Sequence, residues 1–459
     1  FVLTAGCKIE RVMLNLKFVV VLSFFVSVIL IHKYNNYYLF HVVCAFFAIY
    51  YAVKKAWKKF YREYIIKDSG VGVEHLPSRV DHDRKRGLTY PEPVTNTWYH
   101  VCDSKDLRDG RVLEVRALGL VFAVWRDDEG NPICQDAFCL HLGANLAVGG
   151  KVVDNCLECP FHKWKFAPDG SVKEIPYVTN PTDCHTTKKL KTYKCVDWCG
   201  IVCIYFHADD EAPEFELPAF VPAELKELGY EPHLRWDIGH VTLSPVDWVD
   251  QAGDHAHFAT LHADFLVPWT LIPLPDWLLK MFPLGICHKL VTYRGDDADW
   301  AKRVKESNWG AVDKRLMFFT DRAGLTWKKE AIESSVSETC EMFAGPAIMV
   351  FNIPFTIGAL KAFVTTTPTE GGSIMRVRTW MDGRVARSYW KKCLTWVLTG
   401  ISASQLQADI MILCNKIRQK KPILQPFDGP YNRTNAWLKQ FYSPSSTAVN
   451  ECRGYKNDW

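Results

Sequence analysis

Two cysteine–histidine pairs in the first half of the chain have the residue types and spacing to hold a redox metal. Cys139-Leu140-His141 is followed, after seventeen intervening residues, by Cys159-Pro160-Phe161-His162. Two thiolates and two neutral imidazoles suit a [2Fe-2S] cluster of mixed ligation, with the cysteines on one iron and the histidines on the other. Nitrogen ligands raise its reduction potential above that of an all-cysteine cluster. Each pair then supplies one ligand to each iron, and Gly143, Gly149-Gly150 and Pro160 suit two loop tips folding over the cluster. Zinc is the competing reading, because Cys134, Cys139, Cys156 and Cys159 form a four-cysteine set with C-x4-C and C-x2-C spacings. That set leaves both histidines idle. Cys195, Cys199 and Cys203 fall in a strand-like run and read as small buried hydrophobes.

A second constellation runs from Asp247 to His262, DWVDQAGDHAHFATLH, with histidines at 255, 257 and 262. Two of them plus one distant carboxylate would make the facial triad of a non-haem Fe(II) oxygenase, which leaves positions open for dioxygen and substrate. His255 and His262 share a face of an ideal helix, but seven residues at 1.5 Å rise separate them by about 10 Å, too far for one metal. His257 and His262 are five apart, and a widened π-type turn would bring them together. Asp254, three residues before His257, is placed to orient that imidazole. A chance cluster of histidines on a solvated helix is the alternative.

These groups need a scaffold. Short β-branched, aliphatic and aromatic runs at Val112 to Val115, Leu120 to Trp125, Val152 to Val153 and Gly200 to Tyr205 alternate with turn signals such as Asp127-Asp128-Glu129-Gly130 and Pro168-Asp169-Gly170. They predict a small all-β domain around the first motif, over 97–206. Strands at Met349 to Phe355 and Ile374 to Trp380, with a helix from Ser388 to Lys416, predict an α+β domain over 207–442 around the second, and a tail follows over 443–459.

Ahead of both lies an apolar run, Phe18 to Ile31, and after HKYNN a second from Tyr37 to Val53. Lys8, Arg11 and Lys17 before the first run would suit a secretory signal, but no small-x-small cleavage site follows Ile31. One or two transmembrane helices within a membrane anchor over 1–66 are expected, with a pair of buried core helices as the alternative. Lys54, Lys55, Lys58, Lys59 and Arg62 directly after the second run place the rest of the chain in the cytosol by the positive-inside rule. Residues 67–96 read as a polar linker. In a reducing compartment most of the 16 cysteines are thiols or metal ligands, and their even number carries no disulfide signal. With 55 basic and 51 acidic residues among 459, the net charge of +4 is too small and dispersed for a nucleic-acid surface.

Together the two motifs resemble the oxygenase component of Rieske non-haem iron oxygenases, whose catalytic motif is N-x2-D-x2-H-x4-H followed by a late Asp. The resemblance runs from about Asn96 to Tyr442. It implies a Rieske domain with Cys139, His141, Cys159 and His162 on the cluster, and a helix-grip-like catalytic domain. There His257, His262 and Asp409, the last within QLQADIMILCNK, would hold the mononuclear iron. Asp254 would carry electrons onward from the cluster of a neighbouring subunit in a homotrimer. Gln251 stands where the family often has Asn. CPFHKWKF (159–166), DHAHFATLH (254–262), VTTTPTEGG (364–372) and KPILQPFDGPYNRTNAWLKQFY (421–442) are similar to the animal cholesterol 7-desaturase branch, the Neverland type.

That branch implies conversion of cholesterol to 7-dehydrocholesterol, an early step of steroid hormone biosynthesis. O2 is consumed, and electrons come from NAD(P)H through a separate reductase, in keeping with the absence of a G-x-G-x-x-G nucleotide signature. A membrane location is implied, in the endoplasmic reticulum with the catalytic part cytosolic. Apolar stretches at Phe265 to Leu284 and Ala344 to Phe363 suit either a sterol pocket or ordinary core, and the first could instead dip into the membrane surface. Competing functions are a hydroxylase of another steroid or lipophilic ring and a Rieske electron carrier, which would have no use for His257, His262 and Asp409.

Overall fold

The computed structural model describes residues 93–449 apart from 109, 180–186, 272, 274–275, 294–312, 356–357, 371, 420 and 448. The anchor, its basic cluster and nearly all of the linker lie outside the described residues. Among the described residues, no helix is long and apolar enough to cross a membrane.

The first domain is built from β1 (Thr97–Asp103), β2 (Leu113–Ala117), β3 (Leu120–Arg126), β4 (Pro132–Asp136), β5 (Lys151–Val153), β6 (Cys156–Glu158), β7 (Lys165–Phe166), β8 (Val172–Glu174), β9 (Thr192–Tyr193), β10 (Cys195–Trp198) and β11 (Ile201–Phe206). They form three antiparallel sheets, ordered β1-β11-β10, β2-β3-β4-β9 and β5-β6-β7-β8. Period-two alternation explains the apolar run of β3. Phe122 and Val124 enter one core while Ala123 and Trp125 enter a second, beneath the cluster motif, so both faces of the strand are covered. The expected strands at 120–125 and 200–205 correspond to β3 and β11.

The second domain opens with α1 (Phe220–Glu227), β12 (Glu231–Val241), α2 (Pro245–Ala252), α3 (Ala256–Leu261), α4 (Asp276–Met281) and β13 (Leu284–Tyr293). It continues with β14 (Leu316–Trp327), β15 (Glu330–Ala331), β16 (Ser337–Ala344), β17 (Ile348–Phe355), β18 (Gly358–Thr369), β19 (Gly372–Met381), α5 (Gly383–Ala386), α6 (Tyr389–Leu413) and α7 (Tyr431–Leu438). The strands make one antiparallel sheet of order β12-β19-β18-β17-β16-β14-β13, with β15 hairpinned onto β14. β18 is buried along most of its length, as its run of β-branched residues requires. The long α6 matches the helix expected over 388–416. At Gly400 the ring of Trp269 and the ring of Pro268 press so close that no Cβ would fit.

Both domains lie within one compact unit, Pro77–Trp459. Their seam joins β1 to the outer face of the large sheet. Arg378 Nε donates to Asp103 Oδ1 at 2.8 Å, Arg235 reaches Asp103 Oδ2 at 3.0 Å, and His100 shares a 2.8 Å hydrogen bond with Thr365. His100 and the Arg378 guanidinium hold the Asp103 carboxyl well below the usual carboxylate range despite its burial. Trp98, Ile201, Cys203 and Tyr205 share a core with the sheet of the second domain.

Candidate active site

The cluster motif sits on two loops with the same closure. Gly143 N donates to Cys139 O at 2.9 Å and Lys163 N to Cys159 O at 3.1 Å, so each cysteine opens a tight loop that ends four residues later. Both closing residues have left-handed φ, +73° for Gly143 and +62° for Lys163. The loops bring the His141 and His162 rings to 4.7 Å between centroids, and Trp164 stacks on His141 at 4.9 Å. Cys139 is 4% and Cys159 1% exposed. Burial and the neighbouring Cys159 thiol push the Cys139 thiol up to about 11. His141 Nδ1 is buried without a hydrogen-bond partner. Two dry thiols and an orphaned imidazole nitrogen where the two loop tips meet suit an iron–sulfur cluster, which deprotonates the thiols and takes the nitrogen lone pair. The four-cysteine zinc set is not assembled: Cys134 belongs to a different core from Cys139 and Cys159, and no cysteine group among the described residues has single-ion geometry.

The second constellation is not the single widened helix expected from its spacing. α2 begins with a capping box, in which Ser244 accepts from Val246 N and Asp247 accepts from Ser244 N, and it ends at Gly253. Asp254 and His255 form a break, and Asp254 Oδ1 accepts from Ala256 N at 3.1 Å to start α3. α3 stops at Leu261, leaving His262 as its C-cap. This short helix, with its open end, places the His257 and His262 rings 5.2 Å apart. Asp254 also acts differently from expectation: His257 Nδ1 donates to its backbone carbonyl, not to its carboxylate. With Nδ1 protonated, Nε2 carries the lone pair a metal needs. Burial lowers the His257 pKa and so favours the neutral imidazole.

α6 supplies the carboxylate. Its cavity-facing residues Leu398, Ser402, Gln405 and Asp409 recur at helical spacing. Asp409 Oδ1 lies 3.0 Å from His262 Nε2 and accepts a 2.7 Å hydrogen bond from Gln251 Nε2. His257, His262 and Asp409 each offer one ligand atom, all within 4.8 Å of one another, and His262 and Asp409 are buried. Two imidazoles and a carboxylate are the donor set of a mononuclear non-haem iron. His255 stands outside this group.

The triad opens onto a cavity of about 560 Å³ between the sheet and α6, within the roughly 300–1,000 Å³ of pockets that enclose small organic ligands. Alternate positions line its sheet side, among them Thr339 and Glu341 of β16, Phe351 and Ile353 of β17, and Ala362 and Val364 of β18.

Residues 97–194 match the Rieske [2Fe-2S] domain, and residues 204–442 match the 3-ketosteroid 9alpha-hydroxylase C-terminal domain. The chain is a Rieske oxygenase. A cholesterol 7-desaturase of Xenopus laevis is 38% identical over 382 residues, covering 78% of this chain and 74% of the relative. A cholesterol 7-desaturase of Bombyx mori is 27% identical over 90% of this chain and 86% of its own. The crystal structure of dicamba monooxygenase bound to dicamba shares the fold, with a TM-score of 0.51 over 76% of this chain and 98% of that one, at 14% identity. A Rieske oxygenase carries both a [2Fe-2S] cluster and a mononuclear non-haem iron, and it uses O2 with a ferredoxin or reductase as electron source. That excludes the pure electron carrier.

Sequence reasoning about this oxygenase missed the partner of Gln251 and three ionisable residues on the cavity wall, His288, Asp321 and Glu341. Acidic residues at inward strand positions among apolar neighbours, as in FFTDR and TCEMF, were the available signal.

Proposed function

We propose that this Rieske oxygenase is a sterol desaturase that converts cholesterol to 7-dehydrocholesterol, with electrons passed from NAD(P)H by a separate reductase. Cys139, His141, Cys159 and His162 hold the cluster; His257, His262 and Asp409 hold the iron; Asp254 links the two between subunits of a homotrimer. Residues 1–66 anchor the chain in the endoplasmic reticulum membrane with its catalytic part in the cytosol. The observation that carries this reading is the largely apolar cavity of about 560 Å³ opening directly onto the triad. The 38% identity to a cholesterol 7-desaturase supports it.

When bound, the iron supplies an oxidising centre for O2 activation and the cluster supplies electrons to it. The protein's own groups set the conditions. The Asp254 carbonyl fixes the tautomer and orientation of His257, and the Gln251 amide fixes the rotamer of Asp409. The aromatic and aliphatic wall excludes water and holds the ring system against the triad. Desaturation requires hydrogen to leave both C7 and C8, so substrate placement within about an ångström separates it from hydroxylation. Hydroxylation of a steroid is the second reading, favoured by the match of residues 204–442 to a hydroxylase domain.

Expression in sterol-fed cells followed by mass spectrometry distinguishes them. The expected product is 7-dehydrocholesterol, absent from a His257→Ala variant that retains the visible spectrum of the cluster. A hydroxysterol without 7-dehydrocholesterol rejects the desaturase reading.

A further inference from the structure

The triad accounts for two ionisable side chains on the cavity wall, His262 and Asp409. Three more line it: His288 of β13, Asp321 of β14 and Glu341 of β16. Register makes them converge. Asp321 stands opposite Thr339, and Glu341 is two positions further along β16, so period-two alternation sends both carboxyls to the cavity side. His288 pairs with Ala323, two positions from Asp321, which makes His288 and Asp321 diagonal neighbours on that face.

Their hydrogen bonding is incomplete. His288 Nδ1 donates to Asp321 Oδ2 at 2.6 Å, which leaves the lone pair on Nε2. That nitrogen and Asp321 Oδ1 are both buried and have no hydrogen-bond partner among the described residues, and Asp321 is 4% exposed. Native interiors rarely leave such acceptors unpaired unless a bound molecule completes them. Glu341 stands on the same face as the complementary group: burial, with the Asp321 and Asp409 carboxylates nearby, pushes its pKa up to about 8, which favours the protonated, donating form at neutral pH. No Lys or Arg is found among the described residues lining the cavity.

We propose that His288, Asp321 and Glu341 form a polar subsite that binds a hydroxyl group of an otherwise apolar, uncharged ring substrate, and that the cavity thereby selects alcohols over the matching ketones and anions. The inference rests on the reading of this cavity as a sterol pocket and adds to it the group that is recognised. A hydroxyl donates to the free acceptor of the Asp321–His288 pair and accepts from Glu341. A ketone can only accept, leaving Asp321 Oδ1 unpaired, and a sulfate or carboxylate meets a carboxylate with no Lys or Arg among the described lining residues to offset it.

Trp236 and Trp269 line the cavity, so quenching of their fluorescence reports binding without turnover. The full chain with both metals is titrated with a sterol alcohol, its 3-ketone and its 3-sulfate. The alcohol is expected to bind roughly 10–100-fold more tightly than the ketone, the loss for one hydrogen bond to a charged group, and the sulfate more weakly still. Asp321→Asn should narrow the alcohol–ketone gap. Glu341→Leu should weaken alcohol binding about tenfold, whereas Glu341→Gln, which keeps a neutral donor and acceptor, should preserve it. The wild-type comparison stands even where a variant fails to fold. Equal affinity for alcohol and ketone, or sulfate binding as tight as alcohol, overturns the subsite but leaves the sterol pocket standing. Quenching by none of the three overturns both.

Discussion

Replacing Gln251 with leucine removes one hydrogen bond and little volume. In the folded protein the Gln251 amide donates at 2.7 Å to Asp409 Oδ1, the oxygen that also lies 3.0 Å from His262 Nε2. A hydrogen bond to a charged acceptor contributes about 1.5–3 kcal/mol. Gln251 is half-buried, so water replaces part of the lost interaction and about 1.5–2 kcal/mol is the expected cost. If that cost falls on the orientation of Asp409 toward iron, the iron dissociation constant rises roughly 10–30-fold, within the range of about 10–100-fold for groups that orient metal ligands. Gln251→Asn, one methylene shorter, should lie between wild type and leucine, because its amide no longer reaches Asp409 without a shift of α2. The assay equilibrates holoprotein against graded Fe(II) chelator and measures iron in excess of the cluster, with the visible spectrum of the cluster as internal standard. Iron affinity within about twofold of wild type alongside a lowered melting temperature would refute the reasoning, since the amide would then only tie α2 to α6.

Asp254→Asn keeps the backbone carbonyl that holds His257 and an oxygen to accept from Ala256 N. Both metals should stay bound, while reoxidation of the reduced cluster by O2 and substrate, followed by stopped-flow absorbance, slows at least about tenfold; an unchanged rate sinks the electron-bridging role. The raised pKa of Glu341 gives a stability signature. In the unfolded chain a glutamate loses its proton near 4.5, but in the fold this one keeps it to about 8. The folded state therefore binds more protons between those values, and its stability falls as pH rises from about 4.5 to 8 and then levels. Glu341→Gln removes this contribution, so the variant and wild type should melt alike near pH 4 and the variant should melt higher at pH 8.5. Parallel melting curves across that range would show that Glu341 titrates normally.

The proposed cluster ligands and iron histidines could be picked out because each set is local: side-chain types within a few residues of one another suggest the chemistry, whatever the loop geometry. What spacing could not convey was the backbone between them. A helix periodicity drawn through Asp254 puts its carboxylate beside His257, but Gly253 ends α2 and the Asp254 side chain turns to cap Ala256, so the carbonyl is left to face the imidazole. Asp409 needed the family motif, since nothing in its neighbourhood distinguishes it from another polar residue on an amphipathic helix.

Most hidden were His288, Asp321 and Glu341, which come from three strands and meet only through cross-strand register. A sheet wall that alternates outward and inward leaves an inward acidic residue looking, in sequence, like any solvent-facing one. The energetic consequence separates the two cases: an outward carboxylate is solvated, while an inward one near a second and third carboxylate must be protonated, paired or completed by a ligand. Asp321 is half-paired by His288, burial and its carboxylate neighbours raise the Glu341 pKa to about 8, and Asp409 belongs to the triad. Two inward carboxyls cost more to bury than apolar side chains would, and a ligand hydroxyl that pairs with both offsets that cost.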